Sequence, residues 1–137
     1  MKSIFALLLF MGFAVRVNAA IHTENVEYKQ GDTMLEGYLA YDDAIKGARP
    51  GILVVHEWWG LNDYARKRTE QLAQLGYVAF AADIYGKGNR AHTRQEAMAL
   101  AGKFFGGSDR NLLRARANAG LDALRKIPWS IPNVWPP

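Results

Sequence analysis

At 137 residues the chain has room for one domain, and half of its residues are hydrophobic. It contains no cysteine, so no disulfide can form and stability has to come from packing. The formal charge of +4 does not point to nucleic acid: Lys2 and Arg16 supply half of it from the first nineteen residues, and Arg66, Lys67 and Arg68 stand beside Glu70 as the solvated face of a helix.

The amino terminus has the pattern of an export leader. Lys2 is followed by an almost wholly apolar run from Ile4 to Val15, and Val17-Asn18-Ala19 places small residues where a signal peptidase cuts. Cleavage is expected after Ala19 or Ala20, with a membrane anchor as the lesser alternative because the run is shorter than the roughly 20 residues of a bilayer span. The expectation is a periplasmic or secreted protein with signal peptide 1–19 and no membrane contact after cleavage.

Residues 23 to 29 and 33 to 41 alternate in polarity around Gln30-Gly31-Asp32, a hairpin signal. A polar loop over 42 to 50 leads into Gly51 to Val55, whose unbroken and mostly β-branched run predicts a central parallel strand buried on both faces. His56, Glu57, Trp58, Trp59 and Gly60 follow at its carboxyl end, where open α/β sheets place their sites. Asn62 or Asp63 can cap a helix with the stripe Leu61, Ala65, Leu72, Leu75, and Gly76 stops it. Tyr77 to Ala82 predicts a second buried strand ending at Asp83. Thr93 and Glu96 make a capping box for a helix carrying Ala97, Leu100, Ala101 and Phe104, which Gly106 and Gly107 break. Ser108 and Asp109 open a last helix with Leu113, Ala117, Leu121 and Leu124 on one face.

The turn HEWWG and a strand ending in D-x-Y-G, at this separation, resemble the dienelactone hydrolase family, a branch of the α/β-hydrolases, over about residues 22 to 127. The resemblance implies the amino-terminal half of an α/β-hydrolase fold, an antiparallel hairpin followed by parallel strands with flanking helices. It also implies a small-molecule lactone or ester substrate and a triad of nucleophile, acid and His. The family's nucleophile sits in a G-x-C-x-G or G-x-S-x-G elbow, but there is no cysteine here and Ser3, Ser108 and Ser130 lie outside any such motif. Where that elbow is expected, IPWSIPNVWPP carries four of the five prolines, a composition hostile to helix and strand. One expectation is therefore a partial domain over 20–127 with a Pro-rich tail, 128–137, that replaces the catalytic half through truncation or frameshift. The other is a natural short protein with a surface tail. Without the nucleophile strand the sheet would end at an apolar edge and lower solubility.

By resemblance, the backbone N–H of Trp58 is an oxyanion donor, and Glu57 matches the carboxylate that rests against the nucleophilic thiol. For Glu57 the bland alternative is an exposed side chain. Trp58 and Tyr85 either line an apolar substrate cleft or pack, and Arg94 lies near a substrate-carboxylate contact of the family or is simply exposed. The fifth position of H-E-x-x-H is Gly60, so no zinc motif exists, and Gly86 and Gly88 form no phosphate loop. No metal or cofactor is expected. Asp83 reads as a structural acid at a strand end. For the chain as written the resulting expectation is a family hydrolase without turnover, with a small-molecule-binding or interaction module as the alternative.

Overall fold

The computed structural model describes residues 20–105 and 110–131. The leader, the Gly106-Gly107 break, the Ser108-Asp109 helix start and the tail beyond Ile131 lie outside the described residues. The elements run β1 (Ile21–Gln30), β2 (Thr33–Asp42), β3 (Arg49–Val55), α1 (Asp63–Gln74), β4 (Val78–Ala82), α2 (Arg94–Phe105), α3 (Asn111–Arg125) and β5 (Ser130–Ile131). They form an α/β fold with one sheet in the order β1-β2-β4-β3-β5. β1 and β2 form the expected hairpin, in register from Ile21↔Asp42 to Gln30↔Thr33, with Gly31 at positive φ in the turn. β2 pairs antiparallel with β4, whereas β3 runs parallel to both β4 and β5.

The centre of the sheet is β4, not β3. All five β4 residues are buried, with Ala81 in the cluster under α1 and Val78 and Phe80 in the cluster under α3. β3 was expected to be buried on both faces, yet Ile52, Leu53 and Val54 are only half-buried and Val55 is 45% exposed. The cause is pairing: β5 meets β3 only at Arg49↔Ser130 and Pro50↔Ile131, so no described strand covers the outer edge from Gly51 onward. Pro50 is tolerated within β3 because β3–β4 pairing begins one residue later, at Gly51↔Val78.

Asn62 caps α1, its side chain accepting from the Ala65 N–H at 3.1 Å. Gly76, at φ +93°, ends it in a Schellman arrangement: the Gly76 N–H donates to Ala73 O and the Tyr77 N–H to Leu72 O. Of the expected stripe Leu61 and Ala65 are buried, but the buried face of α1 continues through Thr69 and Ala73 rather than Leu72 and Leu75; Leu75 is 73% exposed. Small side chains seat the helix on the sheet, and Thr69 satisfies its hydroxyl by donating to Ala65 O at 2.8 Å. Arg66 is also not simply solvated, since its guanidinium lies 4.5 Å over the Tyr38 ring and donates to Asn25 Oδ1. At the start of α2 the Glu96 N–H donates to Thr93 Oγ1, and Glu96 Oε2 accepts from the His92 N–H, a capping box shifted by one residue.

α3 packs through Gly120, Ala123 and Leu124, with Leu121 half-buried against the same cluster. A Cβ at Gly120 would lie 2.6 Å from the Ala82 Cβ. An exposed helical Gly→Ala change gains about 1 kcal/mol of helix propensity, whereas overpacking costs about 1–3 kcal/mol. We expect the clash to win in Gly120→Ala and lower the urea midpoint; a raised midpoint would show that α3 can back away from β4.

Candidate functional site

The carboxyl ends of β3 and β4 are bound together by their loops. Beyond β3, the Gly60 N–H donates to Glu57 O at 3.2 Å and closes a turn over Glu57–Gly60. Gly60 takes φ +85°, and a Cβ there would stand 3.2 Å from Asn89 O, so glycine fits on two counts. The Asn62 N–H then bonds Gly60 O, which runs the turn straight into the cap of α1.

His56 sits beneath this turn, 4% exposed. Its Nδ1 lies 2.6 Å from Glu57 O, and its Nε2 accepts from the Ile84 N–H at 3.2 Å. A backbone N–H can only donate, so Nε2 is unprotonated and Nδ1 carries the proton. Burial pulls the imidazole pKa below its ordinary value, against the opposing pull of the Glu57 carbonyl and the Asp83 charge. With both nitrogens engaged, His56 presents no base to a substrate.

Asp83 ends β4 as a structural acid. Oδ1 accepts from the N–H groups of Tyr85 (3.0 Å) and Gly86 (2.9 Å), and Oδ2 accepts from Glu36 N–H on β2 (3.1 Å). Tyr28 on β1 completes the fastening: its hydroxyl accepts from the Asp83 N–H and faces the Asp83 carbonyl at 3.3 Å. Burial raises the Tyr28 pKa and keeps the phenol protonated.

The site residues expected from sequence separate into two groups. Glu57 is exposed on the rim of a cleft of about 390 Å³ along the open edge of β3, lined also by Val54, Trp59, Arg68, Leu72 and Leu75. Trp58 is half-buried, its ring edge-on to Trp59, and its N–H makes no backbone hydrogen bond among the described residues. Trp58, Tyr85 and Arg94, the residues read as substrate contacts, are not among those that line this cleft; the neighbouring Trp59 is. Tyr85 is 5% exposed, wedged between His56 and Phe104, with its hydroxyl donating to Trp58 O at 3.0 Å. Arg94 is the exposed first residue of α2. The sequence reading missed Tyr64, Arg68 and Gln71, which α1 presents to the cleft together with Leu72 and Leu75. The signal was their shared helical spacing. Among the described residues no group of His, Asp or Glu could hold a metal ion, and no helix is long and apolar enough to cross a membrane.

The sequence model of the Dienelactone hydrolase family matches residues 35–133. The chain belongs to this family. It is 37% identical over 83 residues to a protein of Aquifex aeolicus (strain VF5) named for carboxymethylenebutenolidase activity, a match covering 58% of this chain and 34% of that protein. Among solved structures it resembles m3DLH, with 38% identity and a TM-score of 0.76. It also resembles P91, a dienelactone hydrolase-like promiscuous phosphotriesterase from metagenomic libraries, with 36% identity and a TM-score of 0.75. Both structural matches cover 82% of this chain and 46% of the other. The chain thus spans about a third of the curated relative and about half of the solved ones.

Asp83→Asn tests how the site is fastened. The amide can still accept from Tyr85 and Gly86, but its NH₂ then faces the Glu36 N–H, donor against donor. We expect a loss of about 1–3 kcal/mol in urea unfolding; an unchanged midpoint would mean that the Glu36 bond carries no weight.

Proposed function

We propose that this chain carries the carbonyl-polarising part of a hydrolase of lactone or carboxylic ester bonds that works by nucleophilic acyl transfer. The observation that carries the reading is the Glu57–Gly60 turn at the carboxyl end of β3. Its second residue, Trp58, has an N–H without a backbone partner among the described residues, while the carbonyl of the same peptide, Glu57 O, is held by the Gly60 N–H and His56 Nδ1. An amide held in this way needs no reorganisation to meet the negative charge on a tetrahedral intermediate. In such a reaction a nucleophile adds to the carbonyl carbon, the alcohol leaves with a proton, and water releases the acid from the acyl-enzyme. Glu57, exposed beside the turn, is the carboxylate that would rest against the nucleophile.

The sequence holds no cysteine and no serine in an elbow motif, so on this reading the chain alone turns over no ester. Export through the leader belongs to the same proposal. Joining residues 20–131 to the carboxyl-terminal part of a family relative is expected to yield aryl ester hydrolysis. In that chimaera Trp58→Pro removes the amide donor at a turn position that suits proline, and kcat should fall roughly 10²–10³-fold with little change in KM. An unchanged kcat would remove Trp58 from the oxyanion role.

The cleft favours a second reading, a module that binds a small apolar acid without chemistry. Leu72, Leu75 and Trp59 offer apolar contact and Arg68 a charge. Titration with phenylacetate should then quench Trp59 fluorescence saturably, and Arg68→Ala should weaken binding about fivefold, the effect of a partly solvated ion pair near 1 kcal/mol. A linear, unsaturable response would reject this reading.

A further inference from the structure

His56 is a buried titratable group that the proposed acyl transfer does not use. It sits on the same turn as Trp58 and Glu57 and spans the two loops that build the site. Nδ1–H bonds the carbonyl of Glu57, which is also the carbonyl that closes the turn by accepting from Gly60. Nε2 takes the amide of Ile84, just past β4. The Tyr85 ring packs edge-on at 4.7 Å, and the Tyr85 hydroxyl holds Trp58 O on the far side of the turn.

We propose that His56, in its neutral Nδ1–H form, is the positioning residue of this site, setting the direction of the Trp58 amide by tying the Glu57 carbonyl to the end of β4. The inference rests on the oxyanion reading of Trp58. Two titratable groups face the ring, Asp83 at the end of β4 and Tyr85 in the following loop, while Glu57 meets it through its backbone carbonyl. From α2 comes only Phe104, behind Tyr85. The Asp83 charge favours protonation, but burial outweighs it and keeps the ring neutral. Protonation would place an Nε2–H against the Ile84 N–H, two donors face to face, and the link between the loops would be lost.

The linkage has a definite sign. The folded-state pKa of His56 is depressed, so its contribution to stability is complete above the unfolded value of about 6.5 and is lost as the pH falls below it. NMR of the ¹⁵N-labelled full chain provides the test. We expect the Nδ1–H tautomer at pH 8, and below pH 6.5 a single transition shared by the imidazole and the amides of Trp58, Gly60 and Ile84.

His56→Gln keeps one donor and one acceptor without a titrating group. It should hold Gly60 exchange protection close to wild type while the Trp58 amide loses its pH transition. His56→Ala should speed exchange at Gly60 and Ile84 on the order of tenfold, as for one lost hydrogen bond. An Nε2–H tautomer, or a Trp58 amide that ignores the His56 titration, overturns the proposal. If His56→Ala does not fold, the wild-type titration and His56→Gln still decide. These readouts need no turnover, so their failure is distinct from failure of ester hydrolysis in the chimaera.

Discussion

The carboxylate of Asp83 organises the upper end of this fold. A strand that stops in a buried position leaves amides pointing into space with no water to satisfy them. Asp83 collects three, two from its own exit loop and one from β2, as charge-assisted bonds. Everything above it follows from where that loop is then obliged to run. Tyr85 is turned inward beneath the Glu57–Gly60 turn, Ile84 brings its amide to His56, and Asn89 comes close enough to Gly60 to crowd a Cβ there. The site is made of backbone groups held by buried side chains, and the side chains themselves are mostly unavailable to a substrate.

A second constraint is the closeness of the layers around β4. Ala79, Ala81 and Ala82 are fully buried, and the helices answer with Ala65 and Ala73 on α1 and Gly120 and Ala123 on α3. Small facing small draws the backbones together and leaves the bulky contacts to Phe80, Leu39 and Leu124 in one cluster and to Tyr38 and Leu61 in the other. Such a core tolerates little added volume, because a helix pushed off the sheet leaves a gap among closely packed side chains.

How much of this was readable beforehand depends on which forces are local. The hairpin, the Asn62 cap, the Gly76 stop and the strand ending at Asp83 are written in neighbouring residues, and the structure keeps them. The ranking of β3 and β4 was not readable: two short apolar runs look alike until strand order assigns one to the middle. The buried side of α1 was misread for a related reason, since Leu72 and Leu75 follow helical spacing but face the uncovered edge of β3, while Thr69 is admitted to the core by a hydrogen bond to its own helix. Tyr85 was equally open to a cleft and a packing role, and the structure packs it. Its hydroxyl reaches a carbonyl 27 residues earlier in the chain, a pairing no local pattern discloses. The turn HEWWG, by contrast, was legible as a candidate site through its place at a strand's carboxyl end, but the two backbone hydrogen bonds that hold His56 beneath it, to Glu57 and to Ile84 on separate loops, were not.

The strand order also sets a sequence of events in time. β4 lies between β2 and β3, although β3 precedes it in the chain. During synthesis the hairpin can close as soon as it is made, but β3 has no rightful neighbour until α1 and β4 have emerged behind it. A premature pairing of its Ile-Leu-Val-Val run with the free edge of β2 would have to be undone before β4 could enter. The Asn62 cap and the Gly76 stop confine the connection between β3 and β4 to one short helix, so little chain separates the strand from its partner.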